Sequence, residues 1–372
     1  MKTVITGGLG FIGQHLSRRL LREGHDVLLI DSLSPQIHGE LPSVDVPKGA
    51  AFVRMNVCHI ADRYELIDGV DVIFHLASET GTAQSMYQMS HYARVNCEGT
   101  TALLEAIAKC SKRPKQIVLG SSRSVYGEGA YTYYDEMGPI VTAAPRTREA
   151  LEDGRWEPTD YTGRILTPVA TPENFPFAPG SIYAATKAAQ ELLLISSSIA
   201  LGMRATIFRF QNVYGEGQSL RNPYTGIISI FFNRARQGLS IPVYEDGLES
   251  RDFVHINDVV SALTASLEAV LPNGIILNVG EGIPTTVSKL AATLLKVASF
   301  TVPIQVTGQY RLGDIRHCFA DLTQLVKYLG FTPRISFEDG LKSFCNWAMT
   351  QPVHDDKSAK AEAELKERGL CK

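Results

Sequence analysis

Tyr183 and Lys187 stand four positions apart in Ser181-Ile182-Tyr183-Ala184-Ala185-Thr186-Lys187. On a helix that spacing puts a phenol and an ammonium on one face. A free phenol titrates near about 10 and is a poor base at neutral pH. A neighbouring positive charge favours the phenolate, so the pair can supply a usable proton acceptor and donor. Far upstream, Thr6-Gly7-Gly8-Leu9-Gly10-Phe11-Ile12-Gly13 follows a short apolar run at residues 2–6 and precedes Leu16, Leu20 and Leu21 at helical spacing. Glycines at these three steps between a strand and a helix let the backbone turn tightly and approach a pyrophosphate at the helix N-terminus. A dinucleotide hydride carrier beside a tuned phenol is equipment for interconverting an alcohol and a ketone.

Asp31 closes the apolar run Val27-Leu28-Leu29-Ile30, eighteen positions after Gly13. A carboxylate there accepts hydrogen bonds from the adenosine ribose and repels a 2′-phosphate. Ser32 and Leu33 follow, so no adjacent arginine holds such a phosphate. This favours NAD over NADP.

These groups need a frame. Apolar runs recur at 27–30, 70–76, 116–119 and 206–210, and segments near 60–68, 93–110 and 183–201 carry helical periodicity. The succession predicts an α/β fold with a doubly wound parallel sheet. From about residue 214 the alternation weakens, which predicts a smaller mixed α/β C-terminal domain closing over the sheet. The expected division is a dinucleotide domain at 1–205, with an insertion at 128–178 and a returning segment near 251–280. A substrate domain takes 206–250 and 281–350, and 351–372 is a charged tail, exposed or unstructured, with no assigned role. The insertion holds six prolines, and one hairpin is expected near 160–163. It is either a functional loop or a surface cover.

With 372 residues at 44% hydrophobic the chain can bury a substantial core, and a net charge of −3 offers no basic face for nucleic acid. No apolar run is long enough to span a bilayer. The N-terminal residues read as strand and turn, without the regions of a signal peptide. Cys58, Cys97, Cys110, Cys318, Cys345 and Cys371 show no C-x-x-C spacing, so structural thiols, no metal and a cytoplasmic location are expected.

Taken in order, Gly7 to Gly13, His75-Leu76-Ala77, Asn96, Ser121-Ser122 before Val125-Tyr126-Gly127, Tyr183 with Lys187, Arg209 with Asn212, and Arg251-Asp252-Phe253 resemble one family. It is the extended short-chain dehydrogenase/reductases of Rossmann type, in the nucleotide-sugar epimerase/dehydratase branch. The resemblance covers nearly everything up to Trp347. It implies Tyr183 as general acid/base, Lys187 lowering its pKa and holding the nicotinamide ribose, and Ser122 bonding the reacting hydroxyl. It implies an NAD site formed by Gly7, Gly10, Phe11, Ile12, Gly13, Asp31, Ser32, Asn56, Val57, Leu76, Ala77, Ser78, Asn96, Tyr183 and Lys187. Asn56 departs from the aspartate many members carry near the adenine. On the substrate side it implies Asn212, Arg251, Arg311 and Asp314 around a diphosphate, where guanidinium offers paired donors. His255 and Asp258 read as structural, and Cys318 as a wall of the hexose pocket or a core residue.

Dehydratases of this branch carry Asp-Glu directly after the Ser/Thr. Here those positions are Arg123 and Ser124, which speaks against elimination and for a 4-epimerase. The segment Leu151-Glu152-Asp153-Gly154-Arg155-Trp156-Glu157-Pro158 resembles the insertion of members acting on deoxythymidine-diphosphate 6-deoxyhexoses. A UDP-hexose is the alternative substrate. A keto-sugar reductase or decarboxylase is the alternative reaction, and a nucleotide sensor a third reading that the intact Ser122, Tyr183 and Lys187 oppose. The resemblance also implies a homodimer.

Overall fold

The computed structural model describes residues 1–39, 45–133, 138–221, 226–353, 363, 364, 366–369 and 371. The strands β1 (Lys2–Thr6), β2 (Asp26–Asp31), β3 (Ala51–Arg54), β4 (Val72–His75) and β5 (Gln116–Ser122) come first. The insertion adds β6 (Ala130–Thr132), β7 (Val141–Thr142) and β8 (Thr167–Pro168). Then come β9 (Arg204–Phe210), β10 (Asn212–Tyr214), β11 (Ile241–Val243), β12 (Ser250–His255), β13 (Ile275–Val279), β14 (Pro284–Thr286), β15 (Ile304–Val306) and β16 (His317–Cys318).

Seven strands form one sheet in the order β13-β9-β5-β4-β1-β2-β3, all parallel. Alternate residues of each strand serve opposite faces. Ile5, Leu29, Phe74, Val118, Phe208 and Leu277 pack with Leu16, Leu20, Val259 and Leu263 of the helices Phe11–Arg22 and Ile256–Glu268. Val4, Ile30, Ile73, Ile117 and Ile207 pack on the other face with Leu103 and Ile107 of Gly99–Lys109 and Leu194 of Ile182–Leu201. Burial on both faces is why these strands read as continuous apolar runs. The strand order reverses between β1 and β4, so a crevice opens there at the carboxyl ends of the strands.

The smaller unit has its own core of Phe231, Phe232, Ile241, Leu290, Leu294 and Phe344. Its sheet runs β10-β12-β14 with β16 on β12, and β11 pairs with β15. The expected boundary at 205–206 falls inside β9, which stays in the large sheet through Phe210. The returning segment starts later than Arg251, because β12 pairs with β10, and the return is made by the helix Ile256–Glu268 and β13.

The insertion is a folded cover. Its three strands form a sheet β7-β6-β8, and an antiparallel bridge Thr159↔Ile165 closes a turn at the expected hairpin. It docks through charge. The fully buried Arg316 donates to Glu157 at 2.6 Å, Asp246 at 2.7 Å and Glu245 at 2.9 Å. Arg146 reaches Glu245 at 2.8 Å, and Thr171 bridges Ala320. The described tail residues are mostly exposed, and several of them touch the rest of the protein. Arg148 donates to the Gly369 carbonyl at 3.3 Å, Arg368 sits 4.3 Å over the Tyr87 ring, and Cys371 bridges Arg311. Among the described residues no helix is long and apolar enough to cross a membrane.

Candidate active site

A cleft of about 1080 Å³ follows the crevice. One end is lined by Gly7, Gly10, Phe11, Ile12 and Gly13, the middle by Leu76 and Ser78, and the other end by Ser122, Arg123, Ser124, Tyr183, Lys187, Gln211 and Asn212.

The glycine end fits a dinucleotide. Gly7 has φ +69°, a left-handed conformation that suits glycine, and its amide donates to the Ile30 carbonyl at 2.8 Å. A Cβ on Gly13 would stand 2.4 Å from the Gly7 carbonyl oxygen, so the helix can start this close to the turn only with glycine. The cap residue Gly10 makes no side-chain cap bond, and the first turn of Phe11–Arg22 carries no acid. Its amides and dipole are therefore open to a pyrophosphate. Asp31 is buried, and its carboxylate accepts from Leu9 N at 3.0 Å and Leu33 N at 2.9 Å, with His38 Nε2 at 3.7 Å. Two amide bonds leave a carboxylate further lone pairs for ribose hydroxyls. Ser32 beside it is exposed.

Other expected cofactor residues do structural work. Asn56 caps the 3₁₀ segment Val57–Leu66 by accepting from Cys58 N at 3.0 Å. Val57 is buried beneath Gly99, where an added Cβ would come within 2.5 Å of its Cγ1. The Ala77 amide donates to Thr6 Oγ1 at 3.4 Å. Asn96 lies fully buried in a π-helical turn, Arg94–Glu98. Its Oδ1 accepts from Ser78 Oγ at 3.0 Å and Glu79 N at 2.7 Å, and its Nδ2 donates to Thr186 Oγ1 at 2.9 Å. Thr186 in turn bonds the Tyr183 carbonyl at 2.8 Å. Asn96 thus ties the 78–79 loop to the helix that carries the phenol.

That helix begins at Ser181, whose side chain caps Ala184 N, and ends in the left-handed Gly202. Burial pushes the Tyr183 phenol up, and the neighbouring Ser122 side chain and then the Arg123 charge pull it back. Lys187 was expected in that last role. Its ammonium instead donates to the Gly120 carbonyl at 2.8 Å and Gln190 Oε1 at 2.9 Å. Burial pulls Lys187 down to about 7, against the Glu191 charge. Gln190 continues to Thr100 Oγ1 at 2.8 Å, which meets His75 Nε2 at 2.9 Å, and His75 Nδ1 meets Thr6 Oγ1 at 2.8 Å. Burial holds His75 down to about 3, so this chain runs through a neutral ring.

On the substrate side Asn212 lines the cleft, whereas Arg251, Arg311 and Asp314 are not among its lining residues. Arg251 donates to Asp314 Oδ1 at 3.0 Å and to the Ile315, Ser250 and Arg316 carbonyls at 2.8, 2.9 and 3.1 Å. Arg311 lies 4.8 Å over the Tyr244 ring, and its Nε is buried without an acceptor among the described residues. Asp258 accepts from Arg334 N and Ile335 N, and His255 caps Asn257 N, both structural roles. Cys318 is buried and packs beneath Gly129 of the insertion. Glu128 escaped the sequence reading. Burial pushes its carboxyl up to about 7 against the opposing Arg146 charge, while it accepts from Arg316 N at 2.7 Å. Gln211 also escaped it, since no local pattern marks it. Glu191 could have been found, four residues after Lys187 on the same helix.

A glycine turn, an aspartate at the end of the second strand and a Ser–Tyr–Lys set over a doubly wound sheet define a dinucleotide-dependent oxidoreductive site. The family model for the NAD dependent epimerase/dehydratase family matches residues 3–147 and 164–280. A dTDP-L-rhamnose 4-epimerase from Burkholderia thailandensis is 39% identical over 349 residues, 93% of this chain and 94% of the relative. A UDP-N-acetyl-alpha-D-glucosaminuronate decarboxylase from Bacillus cytotoxicus is 27% identical over 93% of this chain and 97% of that one. The solved UDP-glucose 4-epimerase of Thermotoga maritima, with UDP-glucose, superposes with a TM-score of 0.76 at 26% identity, over 94% of this chain and 99% of that one. The chain belongs to the NAD dependent epimerase/dehydratase family. Its cofactor is NAD.

Proposed function

We propose that the protein is a nucleotide-sugar 4-epimerase acting on a dTDP-linked 6-deoxyhexose. The observation that carries the reaction is the pair of positions after Ser122. Arg123 and Ser124 both line the cleft, and neither is a carboxylic acid that could drive loss of water. The similarity to a dTDP-L-rhamnose 4-epimerase supports the nucleotide and sugar class.

Bound NAD supplies a reversible hydride acceptor next to the sugar carbon. Ser122 and Tyr183 share the proton of the reacting hydroxyl. Tyr183 accepts that proton as the 4-keto sugar forms and returns it when the ketone is reduced on its other face. Lys187 is pinned by Gly120 and Gln190, so it presents fixed donors to a ribose. Gly7, Gly10 and Gly13 hold the pyrophosphate by backbone approach, and Asp31 takes the ribose hydroxyls. Asn212 reaches the substrate phosphates, while Arg251 and Asp314 are paired with one another away from the cleft lining.

Incubating the purified protein with dTDP-, UDP-, GDP- and CDP-sugars and analysing the released sugars tests this. Inversion at C4 without net consumption of added NAD supports it. Products lacking water or carbon dioxide, or net use of reduced cofactor, sink it. The protein acts as a homodimer in this reading, supported by Leu192 and Ile199, apolar and 54% and 81% exposed on the helix Ile182–Leu201. Light scattering giving a monomer mass would contradict that part.

A further inference from the structure

Buried polar atoms without partners cost free energy and are rare in folded proteins. Gln211 is only 4% exposed, yet neither its Nε2 nor its Oε1 has a partner among the described residues. Its backbone amide is fixed on the Val279 carbonyl at 2.9 Å, and its side-chain stem lies over Gly280, where an added Cβ would come within 2.8 Å of Cγ. Ser124 repeats the pattern. Its amide is held by Ser122 Oγ at 3.2 Å, while its own Oγ is buried and unpartnered. Arg123 lies between Ser122 and Ser124, half-buried; among the described residues its guanidinium closes no hydrogen bond or ion pair, and its charge acts at longer range on Arg251, Asp314 and Glu128. All three line the same end of the cleft as Tyr183 and Asn212.

We propose that Arg123, Ser124 and Gln211 form the subsite that recognises the sugar ring by its oxygens. The inference rests on the nucleotide-sugar reading and extends it from the diphosphate to the hexose. An amide and a hydroxyl each donate and accept, which suits ring hydroxyls that do the same. A guanidinium only donates and stays charged, which suits the oxygen that alternates between hydroxyl and ketone. A site built of unpaired polar groups rejects a ligand that lacks matching oxygens, because the orphans then remain unpaired. The subsite therefore selects on hydroxyl pattern, and the diphosphate contributes affinity independently of it.

The test measures binding of dTDP-rhamnose and of free dTDP to the NAD-loaded protein by calorimetry, for wild type, Gln211→Met, Ser124→Ala and Arg123→Met. Expected is roughly a tenfold or larger loss of affinity for the sugar nucleotide in each variant, with dTDP affinity unchanged. Thermal unfolding of Gln211→Met without sugar nucleotide supplies a second reading. Removing an orphaned amide leaves the midpoint equal or higher, whereas a structural glutamine lowers it. Unchanged sugar-nucleotide affinity, equal losses for dTDP, or a destabilised Gln211→Met overturns the subsite. A wild-type protein that binds the sugar nucleotide more tightly than dTDP but never inverts it sinks the epimerase reading instead, and leaves the subsite supported.

Discussion

The Glu191 carboxylate receives the Arg209 guanidinium at 2.7 Å, with both side chains almost wholly shut off from solvent. Glu191 belongs to the helix of Tyr183 and Lys187, and Arg209 to β9. Ser121, next to Ser122, donates to the same carboxylate. One buried pair thus sets the depth of the helix carrying Tyr183 and Lys187 against the strand carrying Ser122. Removing one partner strands the other, which costs about 3–5 kcal/mol. Arg209→Met should lower the thermal midpoint steeply and turnover with it. A midpoint within a degree of wild type contradicts this account.

Tyr183→Phe removes the proton carrier and should cut turnover by roughly 100- to 10,000-fold. NAD should remain bound, because the glycine turn and Asp31 are untouched. Ser122→Ala should act differently. The Ser122 side chain lowers the Tyr183 phenol, so its loss raises the phenol further. Oxidation needs the phenolate, and activity rises with pH through that ionisation. The rising limb of the pH–rate profile should move to higher pH in Ser122→Ala, with partial recovery in alkaline buffer. A uniform loss at every pH would assign Ser122 to substrate placement alone.

Gly13→Ala should expel the cofactor from an otherwise folded protein. The added carbon would meet the Gly7 oxygen at 2.4 Å and the Gly8 backbone at 2.8 Å, and the turn must open. NAD affinity should fall roughly tenfold or more, equivalent to about 1.4 kcal/mol per tenfold. Fluorescence titration with reduced NAD reads this directly, and wild-type affinity would show that the turn tolerates a side chain.

Glu128 gives a prediction for pH and stability. Burial raises its carboxyl from 4.5 to about 7 in the folded protein. The folded state then binds more protons than the unfolded state between those values, so this group makes stability fall as pH rises through that window. Glu128→Gln cannot ionise and keeps an acceptor for Arg316 N. Its midpoint relative to wild type should rise between pH 5 and pH 8. A constant difference would mean that Arg146 fully compensates the charge.

The glycine turn, Asp31, Ser122, Tyr183 and Lys187 were legible because each sits in a short local pattern tied to a strand end or a helix face. The parallel sheet was legible for the same reason, since its strands are apolar on both faces. The acceptor of Lys187 was not, because Gly120 lies 67 positions away. Nor was the docking of the insertion, where Arg316 meets Glu157 across 159 positions. Arg251 read as a free phosphate ligand because its motif is local, but its acceptors at 314–316 come from a distant loop. The π-helical turn at Asn96 left no mark in periodicity, although its asparagine did.

β9 owes its outer neighbour to β13, which the chain reaches only after leaving the large sheet and laying down β10, β11 and β12 of the smaller unit. During synthesis the NAD-binding half therefore waits. Until residue 279 has emerged, the row of amides and carbonyls along β9 that faces β13 has no strand to meet, and a fragment ending at Phe210 carries that sticky margin permanently. The two units are separate in architecture and inseparable in biogenesis, so neither can be inherited, expressed or exchanged as a module by cutting the gene once.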